Sequence, residues 1–133
     1  MDYSVDVDAK REFVRIKWLR DVTAPALERL WRELRDNTLG ASTFDTLIDL
    51  RGVHVSMTPA QIGSIAVVAK RQPSGRRAIV VGSDADYGLM RMLELMAEPG
   101  PRVFAAFHSM NDACLWLGNP ACGDYELDVG PRA

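Results

Sequence analysis

Only two cysteines, Cys114 and Cys122, occur among the 133 residues. They form neither a C-x-x-C pair nor a disulfide framework, so free thiols in a reducing cytoplasm are expected. Basic residues are not in excess either. Sixteen Lys and Arg meet eighteen Asp and Glu for a formal net charge of -2, which removes the electrostatic footprint of a nucleic-acid-binding domain. Long apolar runs are missing: Ile65 to Ala69 is far too short to cross a bilayer, so no membrane insertion is expected. Met1 to Asp6 has neither the basic start nor the apolar stretch of a secretory leader. Internal repeats and low-complexity segments are absent as well. What is present, 47% apolar and 26% charged residues, describes one soluble globular domain with enough chain to bury a core.

Tyr3, Val5 and Val7 alternate with Ser4, Asp6 and Asp8, the period of a half-buried strand. After the polar turn Ala9 to Glu12, Phe13 to Trp18 reads as a second strand, so the two form an antiparallel hairpin. Thr23 and Pro25 open a helix whose Leu27, Leu30, Trp31 and Leu34 recur at helical spacing. Leu47 to Leu50 is a short strand. Thr58-Pro59-Ala60-Gln61 then has the form of a capping box, opening a helix that is apolar around most of its circumference and stops at Gln72 to Gly75.

Arg77 to Gly82 is the strongest strand signal, a continuous β-branched run that suits a central parallel strand. A third helix runs from Asp84 or Asp86 through Met96, with Leu89, Met92, Leu93 and Met96 inward and Arg91 and Glu94 outward. Glu98 to Pro101 ends it. Arg102 to Phe107 is a fifth strand, and Ser109 caps a last helix, Ala113 to Leu117. A domain over residues 1–118 is expected, with residues 119–133 as a flexible tail. Alternating strands and helices imply parallel crossovers in an α/β fold.

With these elements in order, the sequence resembles the SpoIIAA-like family of STAS (anti-sigma-factor antagonist) domains. The features are the opening hairpin, Leu47-Ile48-Asp49-Leu50-Arg51 before a capped helix, Tyr87-Gly88-Leu89-Met90-Arg91-Met92, and Val103-Phe104 followed by Ala113-Cys114-Leu115-Trp116-Leu117. The resemblance implies a β-α superhelix: a mixed five-stranded sheet with an antiparallel N-terminal edge hairpin and four helices. In the antagonist branch, a serine in an Asp-Ser-Ser-Gly segment at the start of the second helix is phosphorylated by a partner kinase. Here that turn reads Ser56-Met57-Thr58-Pro59-Ala60, lacking the aspartate and the glycine, so Thr58 and its neighbour Ser56 are the candidate switch positions.

Sites in parallel sheets gather at the carboxyl ends of the strands. Those ends carry Arg20 and Asp21, Arg51 and His54, Ser83, Asp84 and Asp86, and His108 and Ser109. Arg51, His54, Tyr87, Arg91 and His108 are the candidate binding residues. No G-x-S-x-G elbow is present, and Ser83 and Ser109 occupy helix-cap positions, so no catalytic residue is assigned. Asp84 and Asp86 favour the positive end of a helix, and no two of the histidines and cysteines have metal-ligand spacing, so neither a metal nor a cofactor is expected.

Lys70, Arg71, Arg76 and Arg77 read as a solvated surface cluster. Met90, Met92, Met96, Leu89, Leu93 and Leu95 cover more circumference than one buried stripe needs, which points to a contact surface. The expectation is a cytoplasmic, non-catalytic regulatory or protein-interaction module that self-associates as a homodimer. The alternative is a carrier or sensor of a small apolar or lipid-like ligand, and a small hydrolase comes third.

Overall fold

The computed structural model describes residues 1–40, 43–70, 75–97 and 104–123. Strands β1 (Tyr3–Asp8), β2 (Phe13–Trp18), β4 (Asp45–Leu50), β6 (Arg77–Val81) and β7 (Phe104–Phe107) form one sheet in the order β1-β2-β4-β6-β7. β1 pairs antiparallel with β2, and every later neighbour is parallel. This is the mixed sheet with an antiparallel edge hairpin that the family resemblance implies. Two two-residue strands, β3 (Val22–Thr23) and β5 (Val55–Ser56), form a separate parallel ladder that the sequence reading does not contain. A pair of residues shows no period, so only tertiary placement reveals it.

Helices α1 (Ala24–Arg35), α2 (Pro59–Ala69) and α3 (Asp84–Ala97) join the larger core on one face of the sheet. α4 (Met110–Leu117) joins a smaller core on the other, and a further helical turn spans residues 120–123. Alternation along each strand divides its side chains between the two. Ile48, Leu50, Ile79 and Val81 enter the larger core, while Leu47, Ala78 and Val80 meet Ala113 and Leu117 of α4. Leu27, Leu30 and Trp31 are fully buried on α1, each contributing roughly 1.5–3 kcal/mol of transfer free energy. α2 begins with a complete capping box: Gln61 N–H donates to Thr58 Oγ1 at 3.2 Å, and Thr58 N–H donates to Gln61 Oε1 at 2.9 Å.

Several expectations are corrected. Cys114 and Cys122 are joined in a disulfide. Gly118 takes the left-handed conformation (φ 66°) that closes α4, and the chain turns back so that Cys122 lies 5.4 Å from Cys114 between Cα atoms. The cytoplasmic expectation drew on free thiols, and the bridge removes that ground. The return also packs Ala121 and Cys122 into the smaller core, while Asn119 Nδ2 donates to Arg11 O at 3.0 Å. Residues 119–123 are therefore part of the folded unit and not of a tail; residues 124–133 lie outside the described residues.

Arg77 is not a solvated member of a basic cluster. It is fully buried, donates from Nη1 to Phe44 O at 2.8 Å, and has its pKa lowered by burial to about 10. Arg71, the helix stop at residues 72–74, the end of the third helix at residues 98–101 and the first two residues of the expected fifth strand lie outside the described residues. α2 buries one face through Ile62, Ile65, Ala66 and Ala69 and leaves Val67 exposed, so it is not buried on several sides. On α3, Met96 is exposed while Glu94, expected outward, is only 2% exposed.

Candidate functional site

The carboxyl ends of β4 and β6 are drawn together where Gly82 follows β6. A Cβ there would lie 2.5 Å from Arg51 O, so only glycine permits this approach. Around that closure the side chains of the first turn of α3 meet the loop after β4. Asp86 is buried, and its Oδ1 accepts a hydrogen bond from Val55 N at 3.1 Å. Its Oδ2 lies 3.8 Å from His54 Nδ1 and has no hydrogen-bond partner among the described residues. His54 N–H donates to Asp21 Oδ1 at 3.3 Å, and Val22 N–H donates to His54 O at 2.8 Å. Two aspartates from different elements thus hold His54 by its backbone, on one side directly and on the other through Val55, while its ring remains largely in solvent.

His108, beyond β7, stacks on Tyr87 with ring centroids 3.9 Å apart and planes 22° apart. Its Nδ1 lies 3.7 Å from Asp84 Oδ1. The first turn of α3 therefore supplies Asp86 to His54, and Asp84 and Tyr87 to His108. Neither carboxylate was among the seven residues singled out from sequence. Asp84 and Asp86 were read as helix-start charges, and what could have raised them is their i, i+2 spacing beside the two histidine-bearing strand ends.

The other expected residues do not join this cluster. Arg51 turns to Asp49, with Nε 3.0 Å and Nη2 3.1 Å from its carboxylate oxygens. Arg91 ion-pairs with Glu94, whose Oε1 accepts from Ala106 N at 2.8 Å on the outer side of β7. Ser56 lies in β5 opposite Thr23, and Thr58 is occupied as the α2 cap. Ser83 Oγ accepts from Asp86 N at 3.2 Å and Ser109 Oγ from Asp112 N at 3.3 Å. Each serine serves as a helix cap, and neither is hydrogen-bonded to an imidazole among the described residues.

A second concave region lies beside β1. A groove of about 570 Å³ is lined by Met1, Asp2, Tyr3, Ser4, Val5, Arg29, Glu33 and Leu39. The Tyr3 hydroxyl donates to Glu33 Oε1, Arg29 Nη2 donates to Asp2 Oδ2 at 2.5 Å, and the Arg29 guanidinium lies 5.7 Å from the Tyr3 ring centre. Burial, and then the bond to Glu33, raises the Tyr3 pKa. The hydrogen bond from Arg29 holds the Asp2 carboxyl below its usual range.

The sheet order, the antiparallel edge and the helices on both faces define a SpoIIAA-like α/β fold. The solved structures that match include an uncharacterized protein from the DUF3478 family with a SpoIIAA-like fold, from Shewanella loihica PV-4. It is 18% identical and superposes with a TM-score of 0.51, covering 86% of this chain and 91% of that chain. No family model matches the chain, and no curated protein does. No helix among the described residues is long and apolar enough to cross a membrane.

Proposed function

We propose that this chain is a non-catalytic, STAS-like interaction module that self-associates through the outer surface of α2 and α3. The observation behind this reading is exposed apolar side chains on both helices: Val67 is 52% exposed, Leu95 51% and Met96 42%. Met96 Cε lies 3.2 Å from the position a Cβ would take on Gly63, and Val67 follows Gly63 by one turn, so the two helices share this surface. Exposed apolar surface of this kind marks contacts more often than chemistry.

Use of the Thr58, Ser83 and Ser109 hydroxyls as caps supports a binding role over a hydrolytic one. The His54 and His108 cluster, with Tyr87, is on this reading a polar recognition surface for a partner protein. Light scattering on size-fractionated protein at high micromolar concentration tests self-association. A dimer is expected, converted to monomer by Val67→Glu with Leu95→Glu while circular dichroism is unchanged. A strict monomer in the unmodified chain contradicts the reading.

A further inference from the structure

The Cys114–Cys122 bridge is buried unevenly. Cys122 is fully buried in the smaller core with Phe13 and Leu117. Cys114 is only partly buried and lines an open recess of about 290 Å³ with Asn111, Leu115, Gly118 and Asn119. One end of the bridge therefore faces solvent and the other does not.

Besides the bridge, Asn119 ties residues 119–122 to the rest of the domain. Its Nδ2 donates to Arg11 O at 3.0 Å and to Asp45 Oδ2 at 3.2 Å, reaching the β1–β2 turn and the start of β4. The N–H groups of Ala121 and Cys122 bond back to Asn119 Oδ1 and O, each at 3.0 Å, and so add nothing to that tether. The side chains this turn buries, Ala121 and Cys122, are small.

We propose that Cys114–Cys122 is a thiol–disulfide exchange site: a dithiol attacks Cys114, and opening of the bridge undocks residues 119–122. The dithiol's thiolate forms a new S–S bond to Cys114 Sγ, and the bond to Cys122 Sγ breaks with its electron pair leaving on Cys122. A proton from water completes that thiol. The dithiol's second thiol, giving its proton to water, then attacks the dithiol's own first sulfur. This closes the dithiol's disulfide and releases Cys114, which is protonated in turn. The dithiol is oxidised by two electrons and the bridge is reduced by two. A thiolate is disfavoured among apolar side chains, so Cys122 leaves readily only as its turn swings into water. Exchange and undocking are therefore coupled, and reduction opens the smaller core beside Phe13 and Leu117.

The test uses the full chain with dithiothreitol as the dithiol. Amide exchange by NMR at Ala121 and Cys122 should quicken at least tenfold on reduction, while that at Ile79 stays slow. Brief treatment with glutathione and an acid quench should place the trapped mixed disulfide on Cys114, at least tenfold over Cys122, by peptide mass mapping. Asn119→Ala removes the tether and should speed reduction by dithiothreitol at least threefold. Unchanged exchange at Ala121 and Cys122 after reduction overturns the inference, as does capture at Cys122 or an unchanged rate in Asn119→Ala. Two free thiols by mass in protein incubated with oxidised glutathione also overturn it, because the bridge then does not form.

Discussion

The two edges of the sheet are finished differently. At β7 the outward Ala106 N–H is occupied by Glu94, a side chain from α3 that is itself buried and ion-paired with Arg91. Along β1, bonded and non-bonded pairs alternate from the bond between Leu19 N and Asp2 O, so Tyr3, Val5 and Val7 turn their backbone groups outward. At β1 the outward groups of Tyr3, Val5 and Val7 have no backbone partner among the described residues, and a groove lies beside the edge. An edge strand is a template for pairing unless something blocks it. At β7 a buried carboxylate takes one outward donor, whereas at β1 three outward N–H groups have no backbone acceptor among the described residues.

Putting the same residue into both edges gives the largest contrast. Ala106→Pro removes the donor to Glu94 and leaves a buried carboxylate short of a partner, at a cost of about 2–3 kcal/mol in urea denaturation. Val5→Pro removes an N–H that has no backbone partner among the described residues and should cost under about 1 kcal/mol, since edge strands tolerate proline. Equal losses would erase the distinction between the edges.

A smaller effect sharpens the β1 side. Tyr3→Phe deletes the hydroxyl bonded to Glu33 and should destabilise by about 1 kcal/mol while leaving exchange at Ala106 unchanged.

The smallest effect is electrostatic. Asp2 has its folded pKa held down by Arg29. Its contribution is therefore fully present above the ordinary carboxyl pKa of about 3.9 and is lost as pH falls through the lowered folded value. Carboxyl carbon NMR should show Asp2 titrating below that ordinary value, and Arg29→Gln should bring it back up.

Much of this arrangement was legible in the residues. The alternation from Tyr3 to Asp8 marked a strand but not its burial, since Val5 and Val7 on the apolar face are exposed too, and the β-branched run at Arg77 to Val81 marked the sheet interior. Thr58-Pro59-Ala60-Gln61 spelled out a capping box that forms in full. Local pattern sufficed because each of these elements is specified by its own neighbours in the chain.

The closed edge was not legible. Glu94 follows Leu93 on a helix where charge normally marks the solvent side, and only the placement of β7 against α3 gives its carboxylate a backbone donor. The pairing of His54 with Asp86, the stacking of His108 on Tyr87 and the Cys114–Cys122 bridge likewise depend on chain returns that carry no periodic signal. The elements and their parallel crossovers came from repetition and the mixed sheet from the family resemblance, whereas strand order and contacts between single side chains came from the folded structure.

Residue-resolved amide exchange on the free protein tests the contrast between the edges most directly. The account predicts slow exchange at Ala106 and fast exchange at Tyr3, Val5 and Val7, with Ser4 and Asp6, which bond inward to β2, slow between them. Slow exchange at Val5 matching that at Ala106 would contradict it, because the β1 edge would then already be closed.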